Sequence, residues 1–121
     1  MDDSELRQQI TEIASSFHLF EWVECANAIR QFLTTQNVPG KIIRLSTDST
    51  KEPFCNIYHE LLQENISANG RHEAIAVKIA GQELIFANIH PVGISKVNWM
   101  NNLYSPIQDI GIDFQISETE F

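Results

Sequence analysis

Residues 72–89 read His72-Glu73-Ala74-Ile75-Ala76-Val77-Lys78-Ile79-Ala80-Gly81-Gln82-Glu83-Leu84-Ile85-Phe86-Ala87-Asn88-Ile89. Two β-rich runs flank Ala80-Gly81-Gln82, which turns the chain. The pattern predicts a strand over 72–79 and its antiparallel partner over 83–89. Asn69-Gly70 is a turn signal just upstream, and Pro91 and Gly93 end the second strand. Helices come first and an antiparallel sheet follows, and the α+β class follows from that order.

Upstream, Leu6, Ile10, Ile13, Ala14 and Phe17 recur at three and four residues and predict an amphipathic helix from Ser4 to about Phe17. Ser4 is its expected cap, with Asp2 and Asp3 favourable at the positive end. A second helix is expected from about Glu24 to Thr34, with Cys25, Ala28, Ile29, Phe32 and Leu33 on one face and Asn37-Val38-Pro39-Gly40 as its stop. Lys41–Leu45 reads as a short strand, Ser46–Pro53 as a loop, Tyr58–Glu64 as a short helix, and Ile112–Ile116 as a last strand. Ser95 is expected to cap a helix running through Trp99 and Leu103.

The chain has 121 residues, so one domain over 1–121 is expected, large enough for its own core. Its net charge of −8 argues against nucleic acid, which needs clustered Lys and Arg, and against an anionic membrane surface. An acidic surface suits solubility or a basic partner. The acidic N-terminus is no signal or transit peptide, and no apolar run reaches the length of a membrane span. The expected location is the cytoplasm, with free thiols at Cys25 and Cys55; export as part of a larger system is the alternative. His18, His59, His72 and His90 show no ligand spacing, and no phosphate-binding glycine pattern occurs, so no metal or cofactor is expected.

Two residues can do chemistry together. Cys25 lies at the expected start of the second helix, whose positive end would lower the thiol pKa and make it a nucleophile. His72 opens a strand after a turn, where it can reach across to that helix start as a base. Periodicity alone also fits packing for Cys25 and a surface place for His72. Cys55 reads as a bystander thiol in a polar loop. His90 reads as a loop residue before a turn, and Trp99 as packing.

Three segments carry a family resemblance: Glu24-Cys25-Ala26-Asn27-Ala28-Ile29, Gly70-Arg71-His72-Glu73-Ala74-Ile75-Ala76-Val77, and Leu84-Ile85-Phe86-Ala87-Asn88-Ile89-His90-Pro91-Val92-Gly93. From about Trp22 to Leu103 the chain resembles the papain-fold toxin domains of bacterial polymorphic toxin systems, the group called papain fold toxin domain 2. The resemblance implies a papain-like fold, with the nucleophile Cys at a helix start packed on a small antiparallel sheet. It implies hydrolysis of an amide bond, by a protease or a glutamine deamidase. A protein substrate and a cognate immunity protein would be the partners. In that pattern Cys25 attacks, His72 moves the proton, and an Asp on the next strand, in a Phe-Asp-Asn run, orients the His.

Ala87 stands at the place of that Asp. Alanine cannot accept the imidazole N–H bond that fixes its tautomer, and such a loss can cost on the order of 10⁴ in turnover. A degenerate enzyme, an engineered substitution, or rescue by Asn88 or His90 would each account for it. Asn88 would need a bulge to face the site, because strand side chains alternate. The backbone N–H of Cys25 is the expected oxyanion donor, and His18 and Trp22 are candidates for the second. The expected function is therefore a papain-like hydrolase inactivated or attenuated at Ala87, with a catalytically dead binding module as the alternative.

Overall fold

The computed structural model describes all residues, 1–121. Two helices come first, α1 (Asp3–Ser15) and α2 (Trp22–Thr35). Eight strands and one more helix follow: β1 (Lys41–Ser46), β2 (Ile57–His59), β3 (Glu64–Ser67), β4 (Arg71–Ile79), β5 (Gln82–Ala87), β6 (His90–Ile94), α3 (Lys96–Asn101), β7 (Leu103–Tyr104) and β8 (Gln115–Glu120). A 3₁₀ turn spans Pro106–Ile110. The α+β expectation therefore holds.

The strands make two sheets. One has five strands in the order β6-β5-β4-β1-β8, and the other has three in the order β3-β2-β7. All pairings are antiparallel. The hairpin read from the sequence is β4–β5, with Ile75 opposite Phe86 and Ile79 opposite Gln82. Its turn uses Ala80 and Gly81, both at positive φ, which the right-handed strand twist favours in a tight hairpin.

Alternation along the central strands sorts side chains into two cores. Ile75, Val77, Ile79, Leu84 and Phe86 meet the apolar faces of α1 and α2, including Ile10, Ala14, Cys25, Ile29 and Leu33. Ala74, Ala76, Ile85 and Ala87 point the other way, against Trp99 of α3, Leu103, Ile107, and Ile57 and Ile66 of the small sheet. The five-stranded sheet is thus covered by helices on one face and by the small sheet with α3 on the other.

Several local expectations are corrected. Asp2, not Ser4, caps α1, accepting the Glu5 N–H at 2.8 Å. Residues 58–64 are not helical: Tyr58 and His59 pair with β3 on one side and β7 on the other. Tertiary pairing outweighs the local helical pattern there. The second strand of the hairpin stops at Ala87, and Pro91 and Gly93 lie beyond it within β6, an edge strand, where a missing proline N–H is tolerated. Ser95 does cap α3, but the helix stops at Asn101 and Leu103 joins β7. The last strand begins at Gln115, later than expected, and completes the large sheet beside β1. No helix is long and apolar enough to cross a membrane.

Candidate functional site

Turn chemistry fixes where His72 enters β4. Asn69 accepts the Arg71 N–H at 3.0 Å and the Ser67 hydroxyl at 2.9 Å. Gly70 follows at φ +77°, and a Cβ there would lie 2.6 Å from both Ser49 O and Thr47 Oγ1. Its N–H donates to Cys55 O at 2.7 Å and its carbonyl accepts from Thr47 at 2.8 Å. Only glycine fits this conformation and this closeness together. Cys55, in the preceding loop as expected, belongs to this knot as a buried free thiol.

His72 is 1% exposed. Its ring packs against two indoles, edge-on to Trp22 with centroids 5.7 Å apart and tilted against Trp99 at 6.2 Å. Neither ring nitrogen has a hydrogen-bond partner, and the buried Trp99 Nε1 has none either. Burial pushes the His72 pKa down to about 3, and the neighbouring His90 and His59 push it the same way. The ring is therefore neutral at physiological pH.

Cys25 is placed otherwise than expected. It is the fourth residue of α2, fully buried in the helix-side core with Ile75, Val77 and Phe86. His72 shares the register of Ala74 and Ala76, whose side chains face the opposite core. With both nitrogens of His72 unpartnered, no thiol–imidazole hydrogen bond exists. Burial pushes the Cys25 thiol up to about 12, where a helix-start nucleophile would be lowered. Its N–H is spent inside the helix on Glu21 O at 3.0 Å, so it is not free to serve as an oxyanion donor.

What stands at the helix start is Trp22, the first residue of α2 and 7% exposed. It lines a shallow cleft of about 380 Å³ with Phe20, Val23, Ser67 and Asn69. From the sequence Trp22 is offered only as a candidate oxyanion donor. The chain turns into the helix at Glu21, four residues before Cys25.

Ala87 ends β5 and is buried. Ala76 lies opposite Ile85, and continuing that register sets Ala87 opposite Ala74. Ala87 is then the diagonal neighbour of His72 on one face, a spacing of roughly 7–8 Å or less that longer side chains bridge. Asn88 does not reach His72. Its Nδ2 donates to His18 O and Leu19 O, both at 2.8 Å, and so holds the segment that leads into α2. His18 belongs to that segment, its backbone N–H donating to Glu21 Oε1.

His90 opens β6 opposite Ala87. Its Nε2 lies 2.9 Å from Nε2 of the fully buried His59. His59 Nδ1 accepts the Leu62 N–H, so His59 carries its proton on Nε2 and donates it to His90. This pair was not legible from spacing. Neither member bonds His72. No group of three or more His, Cys, Asp or Glu side chains is placed to hold a metal ion.

Comparison with known proteins adds one finding. A family model described as Papain fold toxin 2 matches residues 5–104. The match begins earlier than the resemblance read from the motifs and takes in nearly all of α1. No curated protein and no solved structure matched.

Proposed function

We propose, given that this chain belongs to the Papain fold toxin 2 family, that it is a papain-like toxin domain of amide-hydrolase ancestry whose centre is silent, and that it works by binding a protein. The ancestral chemistry is that of a thiol protease or glutamine deamidase. A protein target and a cognate immunity protein are the partners such a domain would take.

One observation carries this reading. His72, the residue in the base position, is buried with both ring nitrogens unbonded, and Ala87 lies beside it on the same face. A working imidazole needs one nitrogen held by an acceptor and the other presented to a nucleophile. Neither condition is met. The raised Cys25 pKa supports the same reading, since at pH 7 only about one thiol in 10⁵ would be ionised.

The test is hydrolysis itself. Peptide-bond cleavage and ammonia release from glutamine-containing proteins are measured for the chain and for Cys25→Ser. The expected result is no turnover above background in either. Turnover that Cys25→Ser abolishes would overturn the proposal and return Cys25 to the role of nucleophile.

A further inference from the structure

We infer that the nucleophile's place in this fold is position 22, so that Trp22, not Cys25, stands where the attacking thiol of a papain-like centre would be. This inference rests on the papain-like reading above and deepens it. The centre would then have lost its nucleophile as well as its acid, with His72 alone remaining.

A nucleophile paired with His72 must satisfy two geometric conditions. It must sit in the first turn of α2, where the unsatisfied N–H groups favour an anion. It must also touch the imidazole. Trp22 meets both, as the first residue of α2 with its ring against His72. Cys25 meets neither. It lies about 4.5 Å further along the helix axis, its N–H is already bonded to Glu21, and its side chain is enclosed by the opposite core.

The surroundings of position 22 agree. The segment entering α2 is clamped by Asn88, the residue next to Ala87 on β5. Position 22 therefore lies against His72, and the neighbour of position 87 holds the approach to it. Trp22 also walls the cleft beside Ser67 and Asn69, whereas Cys25 is fully buried. A thiol at position 22 would have a route for substrate, and the Cys25 thiol has none. The indole fills that route and shields the unbonded imidazole, which accounts for a base that is retained but sealed.

The experiment is the double variant Trp22→Cys with Ala87→Asp, carrying Cys55→Ser. Iodoacetamide alkylation is followed against pH, with the modified residue located by peptide fragmentation. The introduced thiol is expected to titrate at least one unit below the free value of about 8.5, and to lose that drop when His72→Ala is added. A folded variant, judged by circular dichroism, whose introduced thiol titrates at 8.5 or above would overturn the inference while leaving the silent-centre reading standing. If Cys25 of the otherwise unmodified protein titrates low, both fail. Should the double variant not fold, His72→Cys with Cys55→Ser decides, because it keeps Trp22 in place. Under mild oxidation the new thiol is expected to leave Cys25 unpaired. A disulfide between them would set Cys25 against position 72 and overturn the inference.

Discussion

The indole of Trp22 meets the imidazole of His72 edge-on, with ring centroids 5.7 Å apart. That contact replaces the thiol–imidazole pair a hydrolase would need. It also ties the start of α2 to the start of β4, so the helix layer and the far side of the sheet meet at an uncharged imidazole.

Cys25 then has a structural task, and Cys25→Ser tests it. The substitution puts a hydroxyl into a fully buried apolar site. The cost is expected to be about 1–3 kcal/mol, read as a lower urea midpoint, with partner binding unchanged once the protein is folded. A stability-neutral variant would mean that the side chain finds polar surroundings this core does not offer.

The first-turn position of Trp22 also makes the loop before it matter. Asn88 donates to His18 O and Leu19 O, and Asn88→Ala removes both bonds. A loss of about 1–3 kcal/mol is expected. Faster amide exchange should be confined to the α1–α2 loop and the first turn of α2. Uniform loss of protection across the sheet would show that the clamp acts globally.

The fold was legible where periodicity and turn chemistry agree. The β4–β5 hairpin, the Asn69-Gly70 turn and both long helices follow from side-chain spacing and glycine placement. Residues 58–64 misled because Leu61 and Leu62 supply a helical pattern, yet they are exposed and the backbone on either side pairs with other strands. His72 and Ala87 were brought together by the family resemblance, and the β4–β5 register then sets them as diagonal neighbours. The relation of Cys25 to His72 was not, because it turns on the residue at which α2 begins. A shift of three residues replaces a cysteine by a tryptophan at the helix start, and no local signal fixed that boundary: Glu21 caps α2 without a side-chain bond. The His59–His90 pair joins strands of two different sheets, which sequence spacing does not encode.

Acid should unfold this protein early. His72 is held down to about 3 and His90 to about 4, each mainly by burial, and His59 is also lowered by burial. In the unfolded chain all three titrate near 6.5. Below 6.5 the unfolded state binds protons that the folded state does not, so stability falls as pH falls. The slope approaches about 1.4 kcal/mol per pH unit for each histidine held neutral. The loss should run from about pH 6.5 down to the folded values, levelling first for His90 and then for His72. Urea midpoints at pH 7, 6, 5 and 4 measure it, and a flat profile over that window would mean the imidazoles are hydrated.

Ala87→Asp should move His72 rather than Cys25. A carboxylate on the same face as the ring would favour the imidazolium, raising the His72 pKa by about 1–3 units. The ring-proton chemical shifts report this directly in an NMR titration. Cys25 alkylation should not change, because its side chain faces the other core. A rise in Cys25 reactivity with no shift of His72 would mean that the carboxylate acts through the helix layer.

The last prediction concerns the base itself. In a working hydrolase, replacing the histidine costs activity and yields little in stability. Here His72 buries two ring nitrogens without a partner, and each unsatisfied group carries a desolvation cost of about 1–3 kcal/mol. Its neighbours are Trp22, Trp99 and, across the β1 register, Leu45. His72→Leu keeps most of the volume, supplies apolar contact to both indoles and removes both unpaired groups. It is expected to raise stability by about 1 kcal/mol or more at pH 7, and to remove the share of the acid-induced loss that His72 contributes. Thermal and urea unfolding at pH 7 and pH 5 give both quantities. A destabilised His72→Leu with an unchanged pH profile would mean that the imidazole is solvated or bonded in solution. That result would reopen the case for His72 as a working base.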